Sequence, residues 1–126
     1  MSYLAAFNNH LKDFVNDLVL IFPNDNNIKS AKSAVAALTY ANPKSLVKVW
    51  SSYAFKYNNE IEDGNIEFFI NKDYASDLQK VNNSSKAESI IEQLREPVRN
   101  LDDNNKEKAM KYIQNLNKLC NLYFSQ

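Results

Sequence analysis

The chain has 126 residues, 15 basic and 15 acidic side chains and no formal net charge. That length supports one unaided hydrophobic core, and the even balance gives no overall field to draw nucleic acid or an anionic membrane. Apolar residues make up 44%, too large a share for a disordered chain.

The expected unit is a single domain spanning residues 1–126. Cys120 is the sole cysteine, so no intramolecular disulfide can form, which suits a reducing compartment. The opening MSYLAAFNNHLKDF has neither a basic start nor an unbroken apolar run, and no secretion signal is expected. Leu18–Phe22, the longest apolar run, is too short to cross a bilayer. An intracellular protein without a membrane span is expected. Nineteen asparagines, and thirteen lysines against two arginines, are residues that AT-rich codons favour. The bias points to the genome of an AT-rich microbe or virus.

From the N-terminus, Leu4, Phe7, Leu11, Phe14, Val15, Leu18 and Phe22 fall at steps of three and four, one stripe of a helix that Ser2 can cap. Phe22-Pro23 stops it, because a residue before proline is pushed out of the helical region. Asp25 or Asn26 can cap a second helix with the stripe Ile28, Ala31, Val35 and Leu38. Asn42-Pro43 reads as the N-cap and first residue of a third. That helix carries Leu46, Val49, Trp50, Tyr53, Tyr57 and Ile61, and Gly64 is placed to close it with a left-handed residue. Ser85 and Glu88 form a capping-box pair before Ile90, Ile91, Leu94, Val98 and Leu101. Pro97 inside that pattern predicts a kink or break near Glu96. Asn104 and Glu107 form a second box-like pair, opening a last helix with Ala109, Ile113, Leu116, Cys120 and Tyr123. No alternating run of strand length occurs. The expected fold is an all-α bundle of about five to six helices.

The acidic, aromatic stretch from Asn59 to Leu78 is the most distinctive. Asp63 begins a D-x-N-x-E pattern, but a calcium loop needs glycine and glutamate where Phe68 and Tyr74 stand. Glu67 with Asp73 or Asp77 could serve as an acid–base pair only if burial or close approach split their pKa values. The plainer reading is a corner: Gly64 ends one helix, Ile66, Phe68, Phe69 and Ile70 supply core side chains, and Asp73 caps a short helix. Adjacent phenylalanines cannot share one helical face, so Phe68 or Phe69, beside Glu67 and Asp73, is a candidate protein-docking element.

Other candidates are weaker. His10 flanks the first stripe and reads as a partly buried structural residue, since a general base needs an oriented partner. A lone histidine without a Cys-x-x-Cys excludes the usual multi-imidazole or thiolate metal sites. Cys120, on an inner face, reads as a small apolar residue. Lys44, Lys48 and Lys56 share a helical face beside Trp50, Tyr53 and Tyr57, a pattern that single-stranded nucleic acid can use. Lysine stems covering apolar surface are the preferred explanation, because zero net charge disfavours nucleic acid. No phosphate-cradling loop fits a chain with one glycine. No catalytic residue, metal or cofactor is expected.

Three stretches, FPNDNNIK, YNNEIEDGNIEFFINKDY and LDDNNKEKAMKYIQNLNKLCNLY, together resemble short helical proteins encoded by large nucleocytoplasmic DNA viruses of algae and protists. The resemblance implies a viral protein made in the host cytoplasm or packed in the virion, and it carries over no site residue. The reading that follows is a non-enzymatic helical module binding a viral or host protein, with self-association open. The alternative is a nucleic-acid-associated factor using the Lys44, Lys48 and Lys56 face.

Overall fold

The structure is a computed structural model that describes residues 2–67 and 85–125. Among these residues the fold is all-α, with six helices and no strand. The helices are α1 (Tyr3–Ile21), α2 (Asn26–Ala41), α3 (Ser45–Lys56), α4 (Asn58–Glu62), α5 (Ser85–Arg99) and α6 (Asp103–Phe124).

The first stripe is buried as its spacing predicts. Phe7, Leu11, Phe14, Val15 and Leu18 enter the core, and Ser2 Oγ accepts the Ala5 N–H at 3.0 Å. Asp25 is the cap of α2, its Oδ1 accepting from Asn27 and Ile28. Ile28, Ala31 and Val35 bury the next stripe. Trp50 is 4% exposed and meets Phe7 edge-on, ring centroids 6.0 Å apart.

Helix boundaries differ from the sequence reading at three places, and of the kink or break expected at Pro97 the break does not occur. Asn42 closes α2 instead of opening α3: its N–H reaches the Leu38 carbonyl at 2.7 Å, and α3 begins only at Ser45. The cause is Pro43, which holds Asn42 extended, at ψ 81°. The long third helix is broken at Tyr57, where ψ is 22°. Tyr, Asn and Asn are weak helix formers in succession. The break leaves both Tyr57 and Ile61 buried. Pro97 does not end α5, which continues to Arg99. Proline lacks the N–H that would bond the carbonyl four residues back, but the turn after it is closed by Asn100 N–H on the Glu96 carbonyl at 3.1 Å. Finally, Asp102, not Asn104, caps α6, accepting from Asn105 N–H at 2.8 Å. An aspartate there caps as well as asparagine does and adds a negative charge at the helix's positive end.

Gly64 sits as expected, at φ 74°. Its N–H bonds the Ile61 carbonyl at 3.1 Å and Asn65 N–H bonds Glu60 at 2.9 Å, the paired bonds of a Schellman closure. The Gln114 amide of α6 adds a third bond, donating to the Ile61 carbonyl at 3.0 Å.

Two buried asparagines tie the remaining turns down. Asn8 Nδ2 donates to the Pro43 carbonyl at 3.0 Å, holding the α2–α3 turn against α1. Asn117 Nδ2 donates to Asn58 Oδ1 at 3.1 Å, holding the start of α4 against α6.

Trp50→Ala is therefore expected to cost about 3–5 kcal/mol in urea denaturation, the range for truncating a buried aromatic. Gly64→Ala should cost only about 1 kcal/mol, because its added methyl meets nothing closer than Gln114 Nε2 at 3.6 Å and the penalty is the left-handed backbone alone. Equal losses from the two would refute this division between packing and backbone strain.

Candidate docking groove

The run Leu18–Phe22 decides where the site lies. Successive helical residues turn about 100°, so five apolar residues in a row cannot share one buried face. Leu18 is buried, while Leu20 is 78% exposed and Ile21 is exposed beside it. The core stripe has overflowed onto the surface.

These side chains border a groove of about 240 Å³ between the end of α1 and the start of α6. Phe14, Leu18, Leu20 and Ile21 come from α1, Leu101 from the preceding turn, and Ala109 and Tyr112 from α6. Asp17, Asn105 and Lys108 supply its polar rim. The two helices run antiparallel: Tyr112 faces the middle of α1, and Ile21 at its end shares the groove with Leu101 and Asn105.

Tyr112 shapes one wall. Its ring stacks on Phe14 at a centroid distance of 5.2 Å and an angle of 20°. On its other side His10 lies 4.9 Å away, tilted by 43°. The phenol donates a short hydrogen bond to Asp17 Oδ2, and that bond, with some burial, pushes its pKa up to about 12. His10 is half-buried, and its Nε2 is buried without a hydrogen-bond partner. Burial lowers the imidazole below its ordinary 6.5, outweighing the carboxylate of Asp13, which acts to raise it.

The sequence-derived candidates fare unevenly. Phe68, Phe69 and Asp73 lie outside the described residues. Glu67 is exposed, its N–H bonded to Asn65 Oδ1 at 3.1 Å. Beside that corner Gly64 and Ile66 share a cleft of about 410 Å³ with Met110, Gln114 and charges of both signs, Asp103, Lys106, Glu107 and Lys111. Lys44 and Lys48 are exposed, and the Lys56 side chain lies outside the described set. Their supposed stacking partner Trp50 is buried, so it cannot present a face to a base. Cys120 is buried, its Sγ 3.7 Å from the Val47 carbonyl, and burial pushes its thiol up to about 12. A thiol held protonated there is not a nucleophile at neutral pH.

The groove itself was missed in the sequence, although the off-stripe Leu20 and Ile21 were its visible signal. Among the described residues no three His, Cys, Asp or Glu side chains gather as metal ligands would, and no helix is long and apolar enough to cross a membrane. Comparison with family models, curated proteins and solved structures gave no significant match.

Tyr112→Phe keeps the ring and removes the hydroxyl. It should abolish an ionisation near pH 12 in an ultraviolet tyrosine titration. Because the folded state holds this proton more tightly than the unfolded chain, the bond's stabilisation is complete below about pH 10 and fades as pH rises toward about 12. The wild-type advantage over Tyr112→Phe should shrink across that window, and a difference independent of pH would contradict the assignment.

Proposed function

We propose that this chain is a non-enzymatic protein-interaction module whose docking site is the α1–α6 groove, and that it is of viral origin, working in the host cytoplasm or the virion. The observation that carries the docking reading is Leu20, a large aliphatic side chain held 78% exposed at the lip of an apolar groove. Leu20 and Ile21 line it together with Leu101, Ala109 and Tyr112, and Asp17 and Lys108 are among its polar lining residues. A partner's amphipathic helix, apolar on one face with a charge of each sign beside it, matches that pattern. The non-enzymatic reading is supported by the chain's chemistry: its one histidine lacks an oriented partner on Nε2, and its one thiol is buried and protonated. The viral reading is supported by the codon-driven composition and by the resemblance of three segments to short viral helical proteins.

Nucleic acid is the second reading, and exposed Lys44 and Lys48 favour it. Its salt-sensitive term is small, because a neutral chain with few clustered lysines releases few counterions.

Affinity purification with quantitative mass spectrometry should separate the two. A partner retained by wild type should be lost by Leu20→Glu, which places a charge on the lip, and kept by Lys44→Glu/Lys48→Glu. The reverse pattern, with low-salt oligonucleotide binding abolished by the lysine changes, would favour the second reading. A partner indifferent to Leu20→Glu would overturn the groove.

A further inference from the structure

We infer that His10 is an acid-sensitive latch on this groove: the neutral imidazole holds Tyr112 in the groove wall, and its protonation releases that ring and uncovers the apolar floor. The inference deepens the docking reading and rests on it for its purpose, though its test requires no partner.

The geometry joins three facts. Tyr112 lines the groove, and its ring lies between Phe14 and His10, with centroids 5.2 and 4.9 Å away. His10 Nε2 is buried with no acceptor or donor facing it. A second proton would therefore create an imidazolium whose buried N–H has nowhere to donate, and a buried donor left unpaired is costly. His10 is only half-buried, so the ring can relieve that cost by turning out to water. Turning out removes one of the two rings that clamp Tyr112.

The surrounding charges are few. Asp13 on α1 faces the imidazole and favours its charged form, and Tyr112 is the titratable group facing it from α6. Tyr112 in turn faces Asp13 and Asp17. Helices α2 and α3 also pack on α1, and among the described residues neither brings a charge that acts on His10. Burial outweighs Asp13, so the native fold binds this proton less readily than the unfolded chain does. The latch is consequently fully engaged above pH 6.5 and released as pH falls through the lower, folded value.

A single histidine makes the test direct. The His10 ring protons should titrate with a midpoint below 6.5. The resonances of Tyr112, Leu20 and Ala109 should shift with the same midpoint, and binding of an apolar fluorescent dye should rise along it. The window that matters runs downward from about pH 7.5 through the His10 midpoint, and His10→Gln separates it from carboxylate titrations. His10→Gln, neutral throughout, should show no transition there. A midpoint at or above 6.5, groove resonances that ignore it, or the same dye response in His10→Gln would each overturn the latch. Should His10→Gln fail to fold, the wild-type titration alone decides, because the groove signals either follow His10 or do not. A partner that binds equally across the window would sink the latch and leave the docking reading standing. A gated groove that captures no partner would do the opposite.

Discussion

The antiparallel pairing of α1 and α6 is the constraint on which the rest of the molecule depends. They are the two longest of the described helices, and each carries a full apolar stripe: Phe7, Leu11, Phe14 and Leu18 on one, Ala109, Ile113, Leu116 and Cys120 on the other. Helical stability in water comes mostly from burying such faces, since helix nucleation is costly and short helices are marginal alone. The length of this pair, about five and six turns, gives the shorter pieces something to pack on. α4, with five residues, could not persist without it. It is held by the Gln114 and Asn117 amides of α6, which bond the Ile61 carbonyl and Asn58.

Those amides set position more than they add strength. A hydrogen bond to a neutral group is worth only about 1 kcal/mol net, while leaving its buried partner unbonded costs about 1–3 kcal/mol. Asn8, Gln114 and Asn117 therefore act chiefly against misplacement: a shifted turn strands a carbonyl or an amide in the core. Each reaches a helix end or turn, Pro43, Asn58 or Ile61, and none reaches the middle of a helix. Helix middles satisfy their own backbone groups and need no such tie.

The same distinction explains what could be read from the residues. Steps of three and four placed the stripes of α1, α2 and α6, because burial on one face is a local property. Ser2 and Gly64 were legible as caps because each is alone in offering the needed chemistry at its boundary, and at the second helix the residues narrowed the cap to Asp25 or Asn26. LDDNN offers four capping residues in succession, and the choice of Asp102 depends on how α5 delivers the chain to α6. The break at Tyr57 was hidden for a related reason: the stripe runs through it without interruption, and the fit against α6 divides the helix. The groove needed two segments far apart in the sequence, residues 14–21 and 101–112, and only tertiary structure brings those together. Its one local trace was the apolar excess at Leu20 and Ile21.

That excess bears on how the molecule behaves in solution. A chain of zero net charge lacks the long-range repulsion that keeps copies apart. On such a chain an exposed leucine beside an isoleucine and an open apolar groove favours contact with any matching surface, a second copy included. Scattered single exposures, such as Tyr40, need no explanation of this kind. Here the exposed residues adjoin one another and border a concavity, so one partner surface can cover them together. In the proposed docking, Asp17 and Lys108 would discriminate among partners, because a like charge brought against either is penalised while a matched one is not. Asp17 carries a second duty, accepting the Tyr112 hydroxyl. A cation on a partner that competes for this carboxylate would loosen Tyr112 from the outside, just as His10 protonation does from within. Tyr112 is thereby the groove residue on which both influences converge.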